Sequence, residues 1–64
     1  MVNTYEIMRR MRHLKVTQKQ LGELTALSQS MISFIILGKR DPKLSTMVAI
    51  AKALECKVDD LLIG

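Results

Sequence analysis

Residues 17–38 read Thr17-Gln-Lys-Gln-Leu21-Gly-Glu-Leu24-Thr-Ala-Leu27-Ser28-Gln-Ser-Met-Ile-Ser-Phe-Ile-Ile-Leu-Gly38, and the fold of the chain turns on them. Thr17 is a favourable N-cap, and the segment from Gln18 to Leu24 carries apolar residues at Leu21 and Leu24. Thr25, Ala26 and Leu27 leave room only for a tight corner. Ser28 then caps a second helix, in which Ile32, Ile35 and Ile36 fall at helical spacing, and Gly38 supplies a left-handed stop. Two short capped helices around a three-residue corner form a helix-turn-helix plan. The first turn of the second helix, Gln29 and Ser30, is expected to face outward.

The rest of the chain is sized to support that unit. Sixty-four residues read as one domain, 1–64, near the lower limit for a fold without staples. A chain of this length buries only about 60% of its unfolded surface. A lone cysteine, Cys56, makes no internal disulfide, and with the single His13 it makes no zinc site. Packed helices must supply the stability, helped by a second copy of the chain. The interior is aliphatic: 48% of residues are hydrophobic, with five Met, one Tyr, one Phe and no Trp. Ten Lys and Arg against six Asp and Glu leave a net charge of +4, which suits a polyanionic partner. Met31 to Leu37, the longest apolar run, is interrupted by Ser33 and far too short for a bilayer. Met1-Val2-Asn3-Thr4 leads directly into an amphipathic helix, so no signal peptide is read and a cytoplasmic protein is expected.

Taken in order, Asn3 caps a first helix, with Glu6 three residues on as in a capping box. Ile7, Met11 and Leu14 form its inward stripe, and Val16 drops into the core after the helix ends near Lys15. Arg9, Arg10, Arg12, His13 and Lys15 occupy the other faces, either as a solvated surface or as one that meets phosphates. After Gly38 comes a basic loop, Lys39-Arg40-Asp41-Pro42-Lys43, either an ordinary connection or a phosphate clamp. A fourth helix is expected from about Leu44 to Glu55, with Leu44, Met47, Val48, Ile50, Ala51 and Leu54 as its apolar set. Cys56 packs as a small hydrophobe. A fifth helix, Val58 to about Leu62, begins with Asp59 and Asp60, whose charges suit a helix N-terminus. The expected architecture is all-α, a compact five-helix bundle.

Thr17-Gln18, Leu21, Leu27-Ser28-Gln29-Ser30, Ile32-Ser33, Gly38-Lys39-Arg40-Asp41-Pro42 and Ala51-Lys52-Ala53-Leu54 together resemble the lambdoid phage repressor and Cro family, the XRE-type helix-turn-helix regulators. The likeness runs from about Ile7 to Leu62, with motif, loop and following helices in order. It implies a bacterial or phage-encoded regulator of double-stranded DNA, most often a repressor that blocks polymerase at a palindromic operator, with no cofactor. Thr17 and Gln18 stand where the family holds phosphates, as do Lys39, Arg40 and Lys43 in the loop. Gln29, Ser30, Ser33 and Phe34 stand at its base-reading positions. In several relatives two glutamines, at the places of Gln18 and Gln29, bond to each other and fix the reader's rotamer. A primary amide offers a donor beside an acceptor, which matches the N6/N7 edge of adenine.

The departures carry information too. Many family members have a buried Arg–Glu pair where this chain has Met11 and Ile36. Replacing both charges with packed hydrophobes is often neutral or stabilising, whereas losing one costs about 3–5 kcal/mol, so Ile36 is expected to be buried against Met11 with the two side chains touching. Ala26 and Glu55 stand where Gly is common, Gly22 where Ala is common, and Lys43 and Lys57 where caps are common, which points to a monomer of ordinary or low stability. Phe34 and Leu37 share the outward face with Ser30 and Ser33. They are open to three readings: partial burial at the helix end, contact with thymine methyl groups by Phe34, or contact with a protein.

One recognition helix touches too few bases for specificity, and the family reads paired half-sites as two-fold dimers. The resemblance places the homodimer surface at Pro42, Leu44, Val58, Leu61 and Ile63. The competing class is a protein-interaction module, antitoxin-like or antirepressor-like, using Phe34 and Leu37. Catalysis has no support: no nucleophile stands beside a base, no carboxylate pair is evident, and Cys56 and His13 are far apart in sequence.

Overall fold

A computed structural model of the chain describes residues 1–63. Four α-helices appear in order: α1 (Thr4–Leu14), α2 (Gln18–Thr25), α3 (Gln29–Ile36) and α4 (Leu44–Ala53). A 3-10 turn, Val58–Leu61, follows. The fifth helix expected at Val58–Leu62 is therefore replaced by a single tight turn. Its bonds run three residues back, Asp60 N–H to the Lys57 carbonyl at 3.1 Å and Leu62 N–H to that of Asp59 at 3.3 Å. Leu62 then turns extended and pairs antiparallel with Val2, which draws the segment out of helix. Flanking bonds complete that bridge: Asn3 N–H donates to the Leu61 carbonyl at 2.8 Å, and Ile63 N–H to that of Met1 at 2.9 Å.

The core draws on every element. Ile7 and Met11 come from α1, Leu21 from α2, and Ile32, Ile35 and Ile36 from α3. Met47, Ile50 and Ala51 come from α4, followed by Leu54 and Leu61. The packed pairs are α2 with α3 and α4, α1 with α3, and the 3-10 turn with α1 and α4. Among the described residues no polar or charged side chain is buried. Met11 and Ile36 are both buried in the same apolar cluster. Val16, Leu14 and Cys56 pack against the cluster as half-buried neighbours, and burial pushes the Cys56 thiol up, keeping it protonated.

Two sets of apolar residues sit further out than their spacing suggested. Leu24 is 61% exposed, because the eight-residue α2 buries a narrow face at Leu21 and Gly22. On α4 the inward stripe is Met47, Ile50, Ala51 and Leu54, leaving Val48 exposed and Leu44, the first helical residue, 72% exposed.

All four helices end alike. The residue after the last turn is left-handed: Lys15 (φ 58°), Ala26 (φ 61°), Gly38 (φ 73°) and Glu55 (φ 58°). The next N–H reaches five residues back, Val16 to Met11, Leu27 to Gly22, Lys39 to Phe34 and Cys56 to Ala51, at 2.8–3.0 Å. This satisfies carbonyls that would otherwise be orphaned at the helix end. The capping box expected at Asn3 is half formed. Asn3 Oδ1 accepts from Glu6 N–H at 3.1 Å, but the Asn3 N–H is engaged by Leu61. The Glu6 carboxylate turns instead to Arg9 (2.7 Å) and Arg10 (2.8 Å).

Candidate nucleic-acid interface

The unit formed by α2 and α3 is fixed at three points, one at the start of α2 and two at the corner between the helices. Thr17 and Gln20 form a reciprocal box: Gln20 N–H donates to Thr17 Oγ1 at 3.1 Å, and Thr17 N–H to Gln20 Oε1 at 2.9 Å. The spacing of Thr17 and Gln20 is the pattern for such a box, so the second half of this cap was available in the sequence. At the far end of α2, Leu27 folds back onto Gly22, its N–H 3.0 Å from the Gly22 carbonyl. A β-carbon on Gly22 would lie only 2.9 Å from the Leu27 carbonyl oxygen. Finally, Ser28 Oγ accepts from Met31 N–H at 3.1 Å and starts α3.

Held this way, α3 buries Ile32, Ile35 and Ile36 and turns its other side to solvent. Gln29 and Ser30 are exposed, Ser33 is half-buried, and Phe34 is 45% exposed. Leu37, just past the helix, is 63% exposed. Thr17 is exposed and Gln18 half-buried at the start of α2. Among the described residues no hydrogen bond joins Gln18 to Gln29, so the reader amide is not fixed by its counterpart.

Lys39, Arg40 and Lys43 are exposed on the loop after α3. The loop is tied to the helix by Lys39 N–H on the Phe34 carbonyl (3.0 Å) and by Arg40 Nη1 near Met31 Sδ (3.8 Å), a weak acceptor. Among the described residues the ion pairs are those of Glu6 with Arg9 and Arg10, so these three loop cations are unpaired. The one Glu6 carboxylate engages two of the α1 cations, Arg9 and Arg10, while the loop cations beside α3 form no ion pair.

The surface expected to pair two copies divides. Pro42, Leu44 and Val58 line a shallow groove of about 270 Å³, joined there by Met1, Val2 and Leu62, which spacing alone did not single out. Ile63 is exposed beside a neighbouring cleft that it shares with Met1, Arg40 and Asp41. Leu61 is 0% exposed. It is the floor of the chain's own core and not part of the outer surface assigned to it, because the 3-10 turn directs it inward. Among the described residues, no three His, Cys, Asp or Glu side chains gather as a metal site. No helix there is long and apolar enough to cross a membrane.

Two short helices packed together around a capped corner, with the second exposing its polar first turn, define a helix-turn-helix domain. The chain belongs to the helix-turn-helix family, whose model matches residues 7–61. It is similar to the lambdoid repressors in fold as well as in motif. The solution structure of the DNA-binding domain of the P22 C2 repressor, residues 1–76, superposes with a TM-score of 0.85 at 29% sequence identity. That likeness covers 92% of this chain and 78% of the repressor domain. No curated protein matches the sequence.

Proposed function

We propose that this single domain, 1–64, is a cytoplasmic, non-catalytic transcription regulator that binds double-stranded DNA sequence-specifically as a two-fold dimer. The observation that carries the reading is the exposed first turn of α3, Gln29 and Ser30, followed by three exposed, unpaired cations on a loop anchored to the same helix. Gln29, Ser30, Ser33 and Phe34 meet base edges, and Thr17, Gln18, Lys39, Arg40 and Lys43 meet phosphates and set register. The dimer forms through Pro42, Leu44, Val58 and Ile63. Its commonest output is repression by occupying an operator that polymerase needs.

Selection of binding sites from random duplex DNA tests this directly. A palindromic winner with half-sites about one helical turn apart is expected. Affinity for it should fall with salt, each phosphate-bound cation contributing a log–log slope of about −0.9. Binding that ignores both sequence and salt would sink the proposal.

Exposed Phe34 and Leu37 favour one alternative, a module that docks another protein on this face. In that case Phe34→Ala and Leu37→Ala abolish capture of the protein partner, and the binding barely responds to salt.

A further inference from the structure

Resting on the DNA-binding reading above, we infer that Met31 is a peroxide-sensitive modification site: its oxidation to the sulfoxide captures Arg40 and withdraws that cation from DNA phosphate. Arg40 Nη1 stands 3.8 Å from Met31 Sδ in α3. A thioether is a weak acceptor, so it marks where the guanidinium rests without holding it there. Among the described residues Arg40 has no ion pair to hold it either. The loop cation is free to leave for a phosphate.

The surroundings give the sulfur both access and room. Met31 is half-buried against the core, and it lines a cleft of about 340 Å³ with Arg40, Asp41, Pro42, Lys43 and Thr46. Met11 and Met47 are shut away from such a reagent at 7% and 3% exposure. Met1 and Met8 are exposed, but among the described residues Met31 is the one methionine whose sulfur has a cation as hydrogen-bond partner. With hydrogen peroxide as oxidant the step balances. The sulfur attacks one peroxide oxygen, the O–O bond breaks, and the sulfur is oxidised by two electrons. The leaving oxygen takes the proton that the transferred oxygen gives up and departs as water. The oxygen left on sulfur is a strong acceptor. Set to one side of the line from Sδ to Nη1, it meets the guanidinium in a charge-assisted hydrogen bond of about 2.8 Å, with neither residue displaced. A guanidinium held there is lost to phosphate, and salt-sensitive affinity falls with it.

The test uses the full chain and the duplex obtained by selection from random sequence. Protein treated with hydrogen peroxide, its oxidation at Met31 read by peptide mass spectrometry, should bind about tenfold more weakly, the worth of one hydrogen bond to a charged group. Its log–log salt slope should shrink by about 0.9. Methionine sulfoxide reductases should restore both. Met31→Leu should bind like the untreated protein and ignore peroxide. Met31→Gln, whose amide oxygen stands in for that of the sulfoxide, should show the loss without peroxide. In Arg40→Ala, already short of the contact, oxidation should add nothing. Circular dichroism confirms that each form is folded. No oxidation at Met31, full affinity in protein oxidised there, or a peroxide loss that survives in Met31→Leu or Arg40→Ala would overturn the inference and leave DNA binding standing. A chain that binds no duplex would overturn both.

Discussion

The Leu27 carbonyl oxygen lies 2.9 Å from where a β-carbon on Gly22 would stand, and the Leu27 N–H is 3.0 Å from the Gly22 carbonyl. The corner that aims α3 is built on that backbone-to-backbone approach. In an open helix Gly→Ala gains about 1 kcal/mol. Here the added carbon meets backbone that cannot rotate away, and overpacking costs about 1–3 kcal/mol. Gly22→Ala is therefore expected to lower stability by roughly 1 kcal/mol net, read by urea denaturation. A more stable variant would show that the corner is looser than this geometry.

Three of the four left-handed helix ends carry a side chain: Lys15, Ala26 and Glu55. The left-handed conformation costs a residue with a β-carbon about 1–2 kcal/mol, offset in part by the extra freedom glycine has when unfolded. Lys15→Gly, Ala26→Gly and Glu55→Gly should each add about 0.5–1 kcal/mol. In a domain this small 1 kcal/mol moves Tm by about 4–8 °C, so thermal melts resolve the effect. Gly38→Ala should move the melt the other way.

Acid sensitivity has an identifiable source at Glu6. The Arg9 hydrogen bond is the largest influence on its carboxyl; burial, second in size, opposes it, and the Arg9 charge with the Arg10 hydrogen bond and charge carries the value from the usual 4.5 down to about 2. Because the folded value lies below the unfolded one, the contribution is complete above about pH 4.5 and fades as pH falls toward 2. The Arg9 side chain is half exposed, so the effect is small and screened by salt. A carboxyl NMR titration of Glu6 should give a midpoint near 2 that rises in molar salt. A midpoint at the ordinary value would mean that the Arg9 and Arg10 contacts do not persist in solution.

Base reading and phosphate holding separate by mutation. Gln29→Ala should cost about 1–3 kcal/mol on the selected site and relax one base position. Lys43→Ala should weaken all duplexes alike and reduce the salt slope by about one unit. Titrations at several salt concentrations on cognate and scrambled duplexes tell them apart, and equal losses from Gln29→Ala on both would remove it from the base-reading set.

Caps made much of this molecule legible from sequence. Thr17, Ser28 and Gly38 act through local hydrogen bonds or backbone freedom, so α2, α3 and the stop between α3 and the loop were placed by residue type alone. What escaped depends on distant partners. The Val2–Leu62 bridge converts the last expected helix into a 3-10 turn, and the same pairing occupies the Asn3 N–H and frees Glu6 for Arg9 and Arg10. Leu61 was assigned outward for the same reason: its direction is set by a turn whose shape the chain's first residues impose. Leu24 and Leu44 followed the helical period but stand past the edge of what a small core covers. Gln29, Ser30 and the loop cations were legible as exposed because their own side chains are polar or charged and lie off the Ile32, Ile35 and Ile36 stripe.

The antiparallel stitching of residues 1–3 to residues 61–63 makes the backbone nearly a ring. Head and tail could be ligated through a short glycine bridge, and a new opening placed in the exposed Lys39–Asp41 loop, without disturbing any packed helix face. On the chain-entropy argument, closing a circuit of this length removes about 4 kcal/mol of disorder from the denatured chain. The same closeness gathers Met1 and Ile63 at one corner of the molecule, beside Arg40 and Asp41.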